Sequence, residues 1–290
     1  MTLVVTGATG HLGRLVVENL LDRGVPAAGI IAVGRDLDRL KDLADRGVQL
    51  RAADYADSAS LRAAFTGARR VLLVSGSEPG VRVQQHHNAI EAARGAGVEL
   101  LAYTSIVNAD TSTIGMAEDH RATEALLRAS GVPSVLLRNS WYVENYTDHI
   151  GITLERGVLF GSAGEGRVSA TPRADYAAAA AAVLATDGHA GKAYELGGDD
   201  AFTLAQLAAE ISVLSGTPIR YTDLPEADYI QALAGNGVPQ AFAEILADAD
   251  QGLRRGELAT TSGDLARLLG RPTRPLKEAV NAALDVVRPA

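Results

Sequence analysis

No cysteine occurs in the 290 residues. Disulfides, thiolate nucleophiles and cysteine-ligated metals are therefore excluded, although the redox compartment is left open. Lysine is nearly as scarce, at Lys41, Lys192 and Lys277 alone, and aromatic residues make up 4% with a single tryptophan. No basic block occurs and the formal charge is −8, which argues against nucleic acid or an anionic membrane surface as a partner. No apolar run approaches the roughly 18 residues of a membrane span, and the opening strand leaves no room for a secretory leader, so a cytoplasmic protein without membrane insertion is expected. His86 and His87 are adjacent, about 100 degrees apart on a helix, and cannot clasp one ion as an i, i+4 pair would. No metal site is expected.

What is present starts at once. Leu3, Val4 and Val5 read as a buried strand, Gly7 to Gly13 turn the chain, and residues 12–21 carry helical periodicity. A dinucleotide's pyrophosphate needs main-chain N–H groups at close range and a helix start aimed at it, and a Cβ at the tight positions would block the approach. Gly7, Gly10 and Gly13 supply that clearance in a G-x-x-G-x-x-G spacing, placed after a strand and before a helix as the motif requires. The alternative is a structural turn without ligand.

The alternation continues. Strands are expected at 29–33, 48–53, 70–75, 100–104 and 135–138, with helices at 37–46, 58–65, 81–96 and 116–130. With the common order 3-2-1-4-5, the loop Ser75, Gly76, Ser77 lies beside the glycine turn, at the switch point where a cofactor crevice opens. Arg35 ends the second strand, where an arginine pairs with the 2′-phosphate of NADP(H) and an acidic residue would receive the ribose hydroxyls of NAD(H). NADP(H) in preference to NAD(H) is expected on that ground, against an exposed arginine of no special role. Asp36 reads as a helix cap, Asp54 and Tyr55 as neighbours of an adenine edge, and Thr104 as a strand-end polar group in the crevice. His120 is either a crevice residue or half of an exposed i, i+4 pair with Glu124. After Arg138 come Asn139, Ser140, Trp141, Tyr142 and Asn145, an aromatic cluster at a strand end. This suggests a flat apolar surface for a ring system, or an indole that anchors a second domain.

Beyond this point the alternation loosens. A glycine-rich hairpin or lid at 157–170, an alanine-rich helix at 173–186, a seventh strand at 194–196 and helices at 203–215, 226–234, 240–253 and 276–287 are expected. The fold class is α/β, a doubly wound parallel sheet of Rossmann type with a smaller, mainly helical C-terminal region. Residues 1–140 plus 171–197 are assigned to the cofactor-binding domain and 141–170 plus 198–290 to a substrate domain.

One missing pair bears on chemistry. Classical short-chain carbonyl reductases use a tyrosine with a lysine four residues on, the lysine lowering the phenol's pKa for proton donation. No tyrosine here has that lysine. A ketone that accepts hydride becomes a basic alkoxide and needs the donor, whereas a quinone yields a phenolate-type anion that water can protonate. The absence shifts weight toward quinones and similarly activated acceptors, or toward no turnover.

With TGATGHLG at 6–13, ADYAD at 53–57, SGSEPG at 75–80, QHHNAIEAARGAGV at 85–98, AYTSIVNADTS at 102–112, LLRNSWYVENY at 136–146 and TPRADYAAAAAAVL at 171–184, the chain resembles the NmrA-like atypical short-chain dehydrogenases. Within them it is most similar to the bacterial type 2 NAD(P)H:quinone oxidoreductases. The resemblance implies NADPH-dependent two-electron reduction of a quinone. It also places Gly7, Ala8, Thr9, Gly10, His11, Leu12 and Gly13 at the pyrophosphate, Arg35 at the 2′-phosphate and Ser75, Gly76 and Ser77 along the dinucleotide. Asn139, Trp141, Tyr142 and Asn145 would border nicotinamide and substrate, with Ser140 and Arg173 near the cofactor. In the quinone reductase reading, apart from the resemblance, Tyr142 or His120 would donate a late proton. Competing readings are an NADP(H)-binding redox sensor without turnover and a reductase of another conjugated acceptor such as a triarylmethane dye. A homodimer is compatible with each.

Overall fold

The structure is a computed structural model that describes residues 1–76, 78 and 80–287. Its first half alternates strand and helix: β1 (Leu3–Val5), α1 (His11–Asp22), β2 (Ile30–Gly34), α2 (Lys41–Asp45), β3 (Gln49–Ala52), α3 (Ser58–Phe65), β4 (Arg70–Leu73), α4 (Arg82–Gly95), β5 (Leu100–Ile106), α5 (Gly115–Ser130) and β6 (Ser134–Asn139). Then follow α6 (Glu144–Thr147), α7 (Ile150–Arg156), β7 (Val158–Gly161), α8 (Arg173–Ala185), β8 (Ala193–Leu196), α9 (Leu204–Ser215), β9 (Arg220–Asp223), α10 (Glu226–Gly235), α11 (Gln240–Arg254), α12 (Asp264–Leu269) and α13 (Leu276–Val287).

Seven strands form one sheet in the order β3-β2-β1-β4-β5-β6-β8, every pair parallel. Fully apolar runs such as Leu3–Val5 suit strands covered on both faces. One face packs against α1, α8 and Leu265 of α12, and the other against α3, α4 and α5. Alanines along α8 are buried almost throughout, so this helix lies close to α1 over the sheet. Chain order reverses between β1 and β4, and that gap at the carboxyl ends of the strands is the doubly wound fold's ligand crevice. The expected fold class is the one observed.

A second core gathers Trp141, Val143, Tyr146 and Ile150 with side chains of β7, α9, α11 and α13. It also takes Ile106, Val107, Ala109, Ile114 and Ala117 from the end of β5, the loop after it and the first turn of α5. At the start of α8, fully buried Asp175 accepts from Arg271 Nη2 and from the N–H of Arg274, both at 2.7 Å, and so ties the C-terminal segment to the sheet layer.

Three local expectations are corrected. The helix expected at 37–46 is a 3-10 turn (Leu37–Leu40) followed by α2, although Asp36 does cap it by accepting from the N–H of Asp38 at 3.0 Å. No hairpin closes within 157–170. Instead β7 pairs in parallel with β9, Val158 opposite Arg220, so its partner strand lies some 60 residues away, beyond the reach of any local turn signal. β9, with the sequence RYTD and both ends exposed, lacks the apolar run that marks a buried strand. The third correction concerns His120 and Glu124, which are buried and not an exposed pair.

Candidate cofactor and acceptor site

The turn after β1 is shaped by close approach. Gly7 has φ +62, and a Cβ on Gly13 would run into the Gly7 carbonyl. The N–H groups of Ala8 and Gly10 are engaged by the carbonyls of Val33 and Gly7, both at 2.9 Å, and no side chain caps the first turn of α1. Among the described residues no side-chain anion therefore meets the N–H groups at Thr9 and at His11 to Gly13 at the positive end of α1. Ala8 and Leu12 point their side chains into the core, so they offer a ligand only their main chain. Such a backbone cradle, which only a glycine at position 13 lets the turn and α1 form because a Cβ there would strike the Gly7 carbonyl and Ala8 Cα, fits a pyrophosphate. Gly34, unexplained by the sequence, has a structural reason: a Cβ there would sit 2.6 Å from the Thr9 methyl.

The cleft beside this turn encloses about 230 Å3, and Gly7, Thr9, Gly10, Arg35, Asp54, Tyr55 and Ser75 all line it. Thr6, Val74, Glu78 and Gln85 join them, unanticipated because single residues at a strand end, in a loop or on a helix face carry no spacing signal. Thr6 Oγ1 lies 2.5 Å from the Tyr55 hydroxyl, which donates to the Val74 carbonyl at 2.7 Å and thereby clips the β3 and β4 ends to the turn. Burial pushes the Tyr55 phenol up, so it stays protonated. Asp54 is held in a local turn by accepting from the N–H of Ala56.

Thr104 Oγ1 accepts from the N–H of Ser75 at 2.8 Å, and Gly76 donates its N–H to His86 Nε2 at 2.9 Å. Ser77 lies outside the described residues. His86, fully buried, uses its other nitrogen on Thr123 Oγ1 at 2.9 Å, and since the Thr123 hydroxyl donates to the Asp119 carbonyl, His86 is the Nδ1–H tautomer. Burial, with Arg82 adding to it, lowers its pKa to about 3, and it anchors the loop as a neutral ring. His87 is half-buried on α4.

At the far end, Asn139 Nδ2 donates to the Tyr142 hydroxyl at 3.5 Å and its Oδ1 is buried without a hydrogen-bond partner among the described residues. The Arg173 guanidinium sits 5.1 Å over the Tyr142 ring, and its Nη2 donates to Asn145 Oδ1 at 3.2 Å. Glu144, missed by the sequence reading, accepts from the Arg173 N–H at 2.9 Å and so starts α8 where the ring needs it. Tyr176 meets Tyr142 edge-on, rings 5.4 Å apart. Burial raises the Tyr142 phenol as well, with the Asn139 contact opposing it. Asn145 also lines an adjoining pocket of about 80 Å3 walled by Tyr146, Ile152, Leu159, Phe160 and Tyr229.

Three expected site residues are not brought here. Trp141 is nine-tenths buried in the second core, the anchoring alternative, because its apolar surface is matched there by Val143, Tyr146 and Leu258. Ser140 donates its hydroxyl to the Leu258 carbonyl at 2.7 Å. His120 is a correction to the acid–base expectation: it lies between α4 and α5 with Nδ1 2.7 Å from the Tyr103 hydroxyl, lines neither cavity, and burial lowers its pKa to about 3. Its neighbour on the helix, Glu124, turns to Arg138 at 2.6 Å and Ser105 at 2.7 Å.

Residues 7–187 match a protein family described as NAD(P)H-binding. The chain belongs to this family. Quinone oxidoreductase 2 of Escherichia coli (strain K12) is 47% identical over 284 residues, covering 98% of this chain and 99% of the relative, which bears out the resemblance drawn from the motifs. A crystal structure of an NADPH-dependent quinone oxidoreductase from Escherichia coli in complex with NADPH superposes with a TM-score of 0.94 at 47% identity, covering 98% of this chain and 100% of that one. The triphenylmethane reductase of Citrobacter sp., complexed with NADP(H), has a TM-score of 0.93 at 38% identity, with 97% and 100% covered. In this family member no described helix is long and apolar enough to cross a membrane.

Proposed function

We propose that this protein is an NADPH-dependent reductase that passes two electrons to a quinone. Bound NADPH supplies a hydride; the chain's own residues hold the two reactants and keep water out. Thr9 to Gly13 and the start of α1 receive the pyrophosphate, Arg35 receives the 2′-phosphate, and Thr6, Tyr55, Ser75 and Gly76 shape the walls between them. Asn139 Oδ1, a buried acceptor short of a donor, is suited to the carboxamide of the nicotinamide. Tyr142, with Arg173 over one face and Tyr176 against it, presents a rigid polar-tipped ring to the acceptor. Asn145 joins this cluster to the apolar pocket, which accommodates the ring's hydrocarbon part. With its phenol held protonated, Tyr142 donates a hydrogen bond to the acceptor's oxygen, and the one proton that turns the hydroquinone anion left by hydride transfer into the hydroquinone comes from water.

The observation that carries this reading is the conjunction of an uncapped glycine-turn helix start with an acceptor end that lacks a Tyr-x-x-x-Lys pair. The relatives' quinone and dye substrates agree with it. Mixing protein, NADPH and benzoquinone and following the loss of reduced-nicotinamide absorbance tests it. Protein-dependent loss is expected, and none would sink the proposal. A triarylmethane dye in the same assay measures how far the pocket tolerates other conjugated acceptors, which the likeness to the Citrobacter reductase favours.

A further inference from the structure

Arg35 is not the only charged group at its end of the cleft. Glu78 enters from the loop after β4, on the opposite side of the opening, and both residues line the same cavity. Its Oε1 accepts from Arg35 Nη1 at 3.1 Å and its Oε2 from Gln85 Nε2 at 2.9 Å. Gln85 is buried on α4, so one carboxylate oxygen is held by the protein interior. The ion pair itself remains open to solvent, with side chains 69% and 49% exposed, and a ligand can replace either partner. At the end of β2, where a carboxylate ordinarily accepts the two ribose hydroxyls of a cofactor without the extra phosphate, Asp36 is engaged by the N–H of Asp38. Asp54, the other carboxylate on this wall, is engaged by the N–H of Ala56.

We propose that Arg35 and Glu78 together read the adenosine ribose in two ways, Arg35 taking the 2′-phosphate of NADP(H) and Glu78 accepting the free hydroxyl pair of NAD(H). This rests on the reading of Arg35 given under the proposed function. A dianionic phosphate at Arg35 meets the Glu78 charge in the same place, so the carboxylate must give up the guanidinium and repels the newcomer. A ribose diol is instead a pair of donors, which the carboxylate accepts while Arg35 stays neutralised. Glu78 therefore disfavours one cofactor and favours the other, and the chain discriminates between them less than Arg35 alone would.

Calorimetric titration of the full chain with NADP+ and with NAD+ separates the two claims. For Glu78→Gln, binding of NADP+ tightens by about three- to fivefold and that of NAD+ weakens to a similar degree, the scale of an exposed ion pair, and both shifts shrink in high salt. For Arg35→Ala, NADP+ weakens by about tenfold or more and NAD+ stays within about twofold. If NADP+ binding is unchanged in Arg35→Ala, the reading of Arg35 fails. If Arg35→Ala behaves as stated but Glu78→Gln leaves both constants unchanged, or moves them in the same direction, the two-way reader is overturned while Arg35 keeps its role.

Discussion

The two ends of the crevice are made differently. At the pyrophosphate end the main chain does the work: the glycine turn, the start of α1 and the strand ends of β2 to β4 lie within a short stretch of chain or one strand away, and the critical requirement is missing volume. At the acceptor end four side chains, Asn139, Tyr142, Asn145 and Arg173, are brought together by β6, α6 and α8, and Glu144 and Tyr176 brace them. Their requirement is exact chemistry held where the two cores meet, Tyr142 and Tyr176 packing with the first and Trp141 and Tyr146 with the second. Added volume should therefore damage the first end and leave the second intact, and removal of polar atoms should do the opposite.

The largest effect is expected where both ends share support. Arg138 lies on β6 next to Asn139 and donates to Glu124 at 3.0 and 2.6 Å and to Glu195 at 2.8 Å, and Glu124 is fully buried. Arg138→Met leaves that carboxylate only the Ser105 hydroxyl at 2.7 Å and the more distant Arg128 at 3.6 Å, and a loss of about 3–5 kcal/mol is expected in denaturant unfolding. A loss under about 1 kcal/mol would mean that Glu124 escapes to water and that the acceptor end does not lean on this pair.

Asp250 of α11 distinguishes the second core from the sheet layer by placing a carboxyl there whose one hydrogen bond is to the N–H of Ser162, at 2.8 Å. Burial pushes its pKa up to about 7, with Asp223 adding to the shift, while Arg254 is bonded to Asp223. A folded value above the unfolded one means a stabilising contribution that is complete below about pH 4 and lost as pH rises through 7. Asp250→Asn keeps an acceptor for Ser162 and removes the charge. It is expected to melt higher than the parent at pH 8, by at most about 4 kcal/mol in stability, with the difference closing toward pH 4. A gap independent of pH would place the charge elsewhere.

Gly13→Val is the direct test of the volume argument. NADPH affinity should fall about a hundredfold, near 2.7 kcal/mol, in a fluorescence titration. Circular dichroism should show the sheet retained, and unchanged affinity would show that the turn is structural.

The same contrast explains what could be read from the sequence. The strands β1 to β6 and the glycine turn follow from apolar runs and turn residues, their order follows from the common doubly wound arrangement even though β1 and β4 lie some 67 residues apart, and the bounds of α3 and α13 fall where periodicity puts them. β9 and the parallel β7 pairing escape because that register is decided by the second core. His120 misleads for the same reason: its i, i+4 spacing to Glu124 describes a helix face, and only the packing of α4 and β6 against α5 turns that face inward. Trp141 and Tyr142, neighbours in sequence, part company at the end of β6, one entering each core. Glu144 and Gln85 carry no motif because each matters through a partner far along the chain or in a loop, Arg173 and Glu78.

The smallest expected effect separates the ends most sharply. Arg173 is bound three times over: its N–H to Glu144, its Nη2 to Asn145 at 3.2 Å, and its Nη1 to Asp148 at 3.3 Å, while the guanidinium plane covers Tyr142. Lysine can keep the charge and the helix start but cannot donate in two directions while lying flat on a ring. Arg173→Lys should therefore leave Asn145 and Tyr142 loosely placed, lowering kcat with a quinone about tenfold, near 1.4 kcal/mol, because small misplacements of orienting groups are costly. Affinity for adenosine 2′,5′-bisphosphate, which reaches only the other end, should stay within about twofold. Were both quantities to fall together, the division of the crevice into a main-chain end and a side-chain end would be wrong, and Arg173 would belong to the cofactor's phosphates.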